Sequence, residues 1–328
     1  MKQPLMHTLL VLAAAGVSAG ASAQATSTEP VFPTKPIRIV VPFTPGSATD
    51  IIARIVGPKL AERWGRPVVI DNRPSAGGIV ACSIVADATP DGHTLMVTGS
   101  NFAGSAALYS KLPYDPVKDF SGITQIASTP LVLVVAPTLG AKSVKELIAL
   151  AREKPGQLNY GSTGLGSGPH YGGELFKLAS GVNAVHVPYR GSPESLTDLM
   201  AGRVHFILSP VLAAAPLIKS GRVVALGVTT TYRAPALPDV PTVAEAGLAG
   251  FEYQGWYGML APFRTPRAII NLLATDVGQI LELADIKERI ANQGAAAKSS
   301  TPEAFDKLVH NEITTRRKVW KAAGVKAE

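Results

Sequence analysis

The sequence predicts an α/β protein made of two α/β units in series, with a cleft between them and two crossings of the chain from one unit to the other. Three observations point there. Short apolar runs alternate with helical patterns from residue 37 to residue 228. A Gly/Ser-bearing turn stands between a strand and a helix start in each unit, at residues 42–49 and 161–169. Beyond residue 250 an extended run and two long helical patterns remain, enough to return to the first sheet and cover it.

Residues 1–23 read as an export signal. Lys2 and His7 precede an apolar run from Leu9 to Val17, and Ala21-Ser22-Ala23 supplies the small residues of a cleavage site. The apolar core is about half of the roughly twenty residues a membrane-spanning helix needs.

The first unit opens with a strand over residues 37–41, and Pro42 and Pro45 then forbid helix through the turn. Gly46 lets backbone approach a ligand, Thr49 and Asp50 offer capping oxygens, and the amides of Gly46, Ser47 and Ala48 are expected to face an anion at the start of the helix over residues 51–64. A strand over 67–71, a helix opened by Gly77-Gly78 and running to Ala86, and a strand over 93–98 complete a βαβαβ start. Residues 101–116 read as turn-rich. Two apolar runs follow within 123–136, broken at Ser128-Thr129-Pro130, and the second is expected to cross between units.

The second unit reads as helix 144–153, strand 158–161, the loop Gly161-Ser162-Thr163-Gly164-Leu165-Gly166-Ser167-Gly168-Pro169-His170, helix 171–179, strand 184–188, helix 194–201, strand 204–208, helix 213–219 and strand 223–228. The connector Leu237-Pro238-Asp239-Val240-Pro241-Thr242 is stiff. An extended run over 251–261 makes the second crossing, and helical patterns over 267–292 and 302–323 close the chain. The expected domains are residues 31–130 with 255–328, and residues 131–254. Trp256 and Tyr257 lie at a crossing, where they either pack the hinge or wall a pocket.

With 46% hydrophobic and 17% charged residues the chain can bury substantial cores, and disorder is excluded. The single cysteine, Cys82, allows no internal disulfide. The formal charge is +7, and cleavage of the signal removes Lys2, leaving about +6; this mild positive field favours small anions. The basic residues are dispersed, and the Arg316-Arg317-Lys318 cluster lacks interleaved aromatics, so nucleic acid is not the expected partner.

The second loop misses the G-x-G-x-x-G spacing and has no Gly-Lys-Ser/Thr, so neither a dinucleotide nor a P-loop site is expected. No G-x-S-x-G occurs, and the six histidines form no H-x-x-x-H pair; no catalytic residue, metal or cofactor is expected. What remains are loops of backbone amides and hydroxyls suited to a carboxylate.

Several motifs then identify the chain with a family. They are Val41-Pro42-Phe43-Thr44-Pro45-Gly46-Ser47-Ala48-Thr49-Asp50, Asp71-Asn72-Arg73-Pro74-Ser75-Ala76-Gly77-Gly78, Leu112-Pro113-Tyr114-Asp115-Pro116, Leu158-Asn159-Tyr160-Gly161-Ser162, Val185-His186-Val187-Pro188-Tyr189-Arg190-Gly191 and Leu237-Pro238-Asp239-Val240-Pro241-Thr242. Over about residues 33–324 the chain resembles the substrate-binding proteins of tripartite tricarboxylate transporters, the Bug or TctC type. The resemblance implies a periplasmic-binding-protein fold closing on a small organic carboxylate, with no catalysis, delivery to membrane transporter subunits, and a monomer in the periplasm. An enzyme on the same scaffold, or a ligand sensor for a signalling partner, are the alternatives. Ligand contacts are expected from Phe43, Gly46, Ser47, Ala48, Asn101, Ser162, Thr163, Gly164, Ser167, His170, Tyr189 and Ser209. Ser47 stands where the family has a second glycine, and the chain is about two residues short after Asn101, where the usual histidine is missing. Ser209 stands where many relatives carry an acid, so the cleft suits carboxylates and not amino acids, whose ammonium would lack a partner.

Overall fold

A computed structural model describes residues 32–326 apart from residue 293, and these form one compact unit. The leader assigned above, residues 1–23, lies outside the described residues. In chain order the elements are β1 (Ile37–Val41), α1 (Ala48–Trp64), β2 (Val68–Asn72), α2 (Ile79–Ala86), β3 (Thr94–Gly99), α3 (Asn101–Leu108) and β4 (Phe120–Val135). Next come α4 (Val144–Glu153), β5 (Leu158–Ser162), α5 (Gly168–Ser180), β6 (Ala184–Pro188), α6 (Ser192–Met200), β7 (Phe206–Pro210), α7 (Val211–Lys219) and β8 (Val224–Val228). The chain ends with β9 (Gln254–Pro262), α8 (Arg267–Glu282), α9 (Ala284–Asn292), β10 (Ala296–Ala297) and α10 (Pro302–Ala322).

The strands run in the order β2-β1-β3-β9-β4-β7-β5-β6, with β10 and β8 also on β4. β1 is parallel to β2 and β3, whereas β9 returns antiparallel between β3 and β4. In the other half β5 is parallel to β6 and β7, and β4 lies antiparallel to β7 and β8. β4 belongs to both halves. Up to Pro130 it pairs with β9, and from Leu131 it pairs with β7.

This explains why the two apolar runs expected in 123–136 are one strand. Pro130 has no N–H to give to a ladder, and it falls where the strand exchanges one set of neighbours for another, so its missing donor interrupts neither.

Alternation along β4 builds the core on both faces. Leu131, Leu133 and Val135 pack with α4 and α5, while Val132 and Val134 pack with α6 and α7. Around the first half, Ile37, Ile39 and Val41 face α1 and α8, and Val40 faces α2, α3 and α10.

Two elements differ from expectation. The stretch expected to be turn-rich opens with α3, whose residues 101–106 are all buried against α10 and the second glycine loop. Its small, weakly patterned sequence, Asn-Phe-Ala-Gly-Ser-Ala-Ala-Leu, carries little amphipathic signal because the helix is enclosed on most sides. The pattern over 267–292 is two helices, with Leu283 extended between them. α10 also reaches the second half, where Trp320 joins the core of Tyr160, Phe176 and Phe206.

Candidate functional site

The carboxyl ends of the strands, where ligands bind in open α/β sheets, surround a cavity lined by residues from both halves of the sheet. Five helices begin at its wall: α1 at Ser47 to Thr49, α3 at Ser100-Asn101, α5 at Ser167 to Pro169, α6 at Ser192 and α7 after Pro210. Each brings the positive end of its dipole. Aromatic and small residues fill the remaining wall, from Phe43, Thr129 and Leu131 to Tyr253, Trp256 and Tyr257. Among the described residues no charged side chain lines it.

The two expected donor loops have the same local geometry. In the first, Gly46 takes φ +79°, Ser47 caps α1 through Oγ to the Asp50 amide at 3.4 Å, and Asp50 Oδ2 accepts from the Gly46 amide at 2.9 Å. In the second, Gly166 takes φ +75°, Ser167 Oγ accepts from the His170 amide at 3.2 Å, and His170 Nδ1 accepts from the Gly166 amide at 3.1 Å. Each is a reciprocal cap of the serine-box kind, closed by Asp in one unit and by His in the other.

These caps change which groups are available. The Gly46 amide, expected to face the anion, is held by Asp50, and the Ser47 amide is bonded to the Thr44 carbonyl at 3.1 Å. The amides of Ala48, Thr49 and Gly168 have no partner among the described residues and stand at the first turns of α1 and α5. Asp50 also receives Arg54 and Asn72; burial works against its charge, yet these bonds and the Gly46 amide hold its carboxyl below the ordinary range. It is the fold's own anion under the first loop.

Of the expected contacts, the structure brings Phe43, Ser47, Ala48, Asn101, Thr163 and Ser167 to the cavity. Asn101 Oδ1 is fixed by Thr98 and by the Gly99 amide, leaving Nδ2 buried and unpartnered among the described residues. The other six stand off the wall. Gly46 packs toward Pro193 at the cleft lip, and Gly164 receives Ser162 Oγ within its own turn. Ser162 also meets His186 Nε2 at 2.6 Å. His170 lies in an aromatic stack, its ring 3.9 Å from His186 and 4.7 Å from Trp320 between centroids. Burial pushes His170 down to about 2, helped by neighbouring positive groups, and His186 down to about 4, so both rings are neutral packing groups. Tyr189 donates to Asp198 at 2.8 Å, away from the cleft, and Ser209 turns back on the Pro210 carbonyl at 3.3 Å.

Sequence reasoning missed Ser100, Thr129, Ser192, Pro210 and Tyr253, and favoured hinge packing over a pocket wall for Trp256 and Tyr257, both of which line the cavity. Ser192-Pro193-Glu194 carries a legible helix-start signal. Tyr253 carries none, since its place on the wall depends on where β9 enters the sheet.

The halves touch on both sides of the cavity. Thr44 Oγ1 donates to Glu194 Oε2 at 3.3 Å on one side; on the other, α3 meets the second loop so closely that a Cβ at Gly104 would fall 1.6 Å from the Gly166 carbonyl oxygen. The cleft is shut.

The chain is similar to receptor proteins in sequence and in structure. The profile of the tripartite tricarboxylate transporter family receptor, TctC, matches residues 52–325. Protein BugT of Bordetella pertussis (strain Tohama I) is 33% identical over 319 residues, covering 97% of this chain and 96% of that one. A solved R. palustris structure, Rpa4515 with adipate, superposes with a TM-score of 0.87 at 38% identity, covering 89% of this chain and 98% of that chain. MatC from Rhodopseudomonas palustris with bound malate gives 0.83 at 32% identity, covering 88% and 99%. The chain belongs to the TctC family of tripartite tricarboxylate transporter receptors, a family of periplasmic receptors and not of enzymes.

Proposed function

We propose that the protein is exported by cleavage after Ala23 and, as a monomer, captures a small organic carboxylate in the periplasm for delivery to membrane transporter subunits. The observation that carries this is the cavity ringed by five helix N-termini, which among the described residues has no charged side chain on its wall and has unpartnered amides at Ala48, Thr49 and Gly168. Such a wall stabilises negative charge without a cationic side chain, through dipoles and donors desolvated together with the ligand. Among the described residues no helix is long and apolar enough to cross a membrane and no cluster of metal-ligating side chains occurs. Solved relatives hold adipate and malate. Ala48 and Thr49 stand on one wall and Gly168 on the other, an arrangement that suits a dicarboxylate.

Calorimetry with succinate, adipate and malate, each against a matched amino acid such as aspartate, tests the reading. At least one dicarboxylate is expected to bind with its amino analogue weakened by tenfold or more, since an unpaired buried ammonium costs several kcal/mol. Preference for the amino acid, absence of carboxylate binding, or turnover of the bound compound would overturn it. Loss of the gene is expected to abolish uptake of the same compound by cells.

A further inference from the structure

α10 places a charged pair directly behind the cavity wall. Arg316 is fully buried, and its Nε and Nη2 both donate to Glu312 Oε1, at 2.9 and 2.6 Å. Nη2 also donates to the Tyr253 hydroxyl at 2.8 Å, and the guanidinium lies 4.1 Å over the Tyr171 ring. Glu312 accepts from the Trp256 indole N–H with its other oxygen. Neither charge touches the cavity, but Tyr253 and Trp256 both line it.

The direction of the Tyr253 bond matters. Its hydroxyl oxygen is an acceptor for Arg316, so its own proton is left to be donated elsewhere. Burial raises the phenol's pKa, so that proton stays in place at neutral pH. Burial also works against the guanidinium's charge, but the Glu312 carboxylate more than offsets this and keeps Arg316 ionised. On the cavity side the hydroxyl faces Gly168, where a Cβ would come to 3.1 Å from it. A side chain at position 168 would be tight against this hydroxyl, so glycine leaves room beside the unpartnered first amide of α5. Ser100, the neighbouring hydroxyl on the wall, accepts the Trp256 amide at 3.1 Å and lies beside the Tyr253 hydroxyl, so the two hydroxyls form one donor pair at this end of the cavity.

We propose that Arg316 is a positioning residue for selectivity: by donating to Tyr253 it fixes and polarises that hydroxyl as a donor toward the cavity, where Tyr253 and the Gly168 amide together take one oxygen of a ligand carboxylate. This rests on the carboxylate-receptor reading and adds to it a named donor pair and the buried cation that sets it. A bond to an ionised group is stronger than a neutral one and polarises the next bond in the chain. The wall thereby gains part of the effect of a cation without placing one against the ligand.

The test uses two arms on the purified protein. In the first, tyrosines are labelled with ¹³C at Cζ in ligand-free protein, and Tyr253→Phe assigns the Tyr253 resonance. Arg316→Gln is expected to move that resonance and Arg316→Lys, which keeps a cationic donor, to restore part of the shift. In the second, adipate and its neutral diamide are titrated against each variant. Arg316→Gln is expected to weaken adipate roughly tenfold, to leave the diamide nearly unchanged, and to cost nothing further once Tyr253 is Phe. Equal losses for both probes, or the same loss with and without the Tyr253 hydroxyl, would reduce Arg316 to a structural residue and overturn the proposal. If Arg316→Gln fails to fold, Arg316→Met, which also removes the cationic donor, carries the same comparison. Wild-type protein that binds no member of a C4 to C8 carboxylate panel sinks the receptor reading instead; the resonance arm then decides alone whether Arg316 governs Tyr253, an unmoved signal overturning it.

Discussion

At position 46 glycine is required by conformation rather than by room. Its φ is +79°, and a Cβ there would meet only Pro193 Cγ, at an ordinary 3.7 Å. Gly46→Ala is therefore expected to cost about 1 kcal/mol or more in denaturant unfolding, from left-handed strain alone, and to weaken binding by displacing the first turn of α1. Ser47 is different, with an extended backbone at φ −67° and a hydroxyl that caps α1. Ser47→Ala should cost about 1 kcal/mol of stability and Ser47→Gly only a few tenths, because glycine is tolerated at a cap. Both should weaken carboxylate binding similarly, since both lose the hydroxyl on the cavity wall. A loss of stability in Ser47→Ala no larger than a few tenths of a kcal/mol would show that the cap bond, 3.4 Å in length, contributes little.

At the scale of elements, the contact between β5, β6, α5 and α10 is the stack Tyr160, His186, His170, Trp320. Both imidazoles are neutral in the folded protein, whereas in the unfolded chain they take up protons below an ordinary value of 6.5. The unfolded state therefore binds more protons as pH falls, and stability should decline from about pH 6.5 toward 4, by about 1.4 kcal/mol per pH unit for each imidazole. Below about 4 the His186 contribution levels off while that of His170 continues. Urea unfolding across this window checks the slope. His186→Phe, which keeps an aromatic ring in the stack, should roughly halve it; an unaltered slope would place the titration elsewhere.

At the scale of the whole molecule, two sheet halves share β4, with β9 beside it at the exchange of partners, and they meet again along a seam of backbone. We propose that the units 31–130 with 255–328 and 131–254 swing about residues 131–136 and 255–262, and that Gly104 and Gly166 permit closure. Because a Cβ at 104 would strike the Gly166 carbonyl, Gly104→Ala should hold the cleft ajar. If it lowers the closed population to about a tenth, apparent affinity falls roughly tenfold, and scattering at saturating ligand should give a larger radius of gyration than wild type. Wild-type affinity and radius in this variant would mean that the seam is not part of closure.

Local chemistry determined a great deal here. The short apolar runs of β1, β5, β6 and β7 and the Gly-Ser turns before α1 and α5 are properties of a few adjacent residues, so the two α/β units, their order and the anion-type loops were legible in the chain. Phe43, Ser47, Ala48, Thr163 and Ser167 reach the cavity because they lie within those loops. Direction and competition were not legible. Whether the Gly46 amide faces a ligand depends on Asp50 reaching it first; whether His170 faces the cleft depends on His186 and Trp320, 16 and 150 positions away, offering it a stack. Tyr253 and Trp256 become a wall, with Glu312 and Arg316 behind it, only where β9 and α10 return to the first sheet. The Gly46–Asp50 choice is local but turns on which of several acceptors the amide meets, whereas the placements of His170, Tyr253 and Trp256 are set by long-range packing, in which no short window of sequence contains both partners.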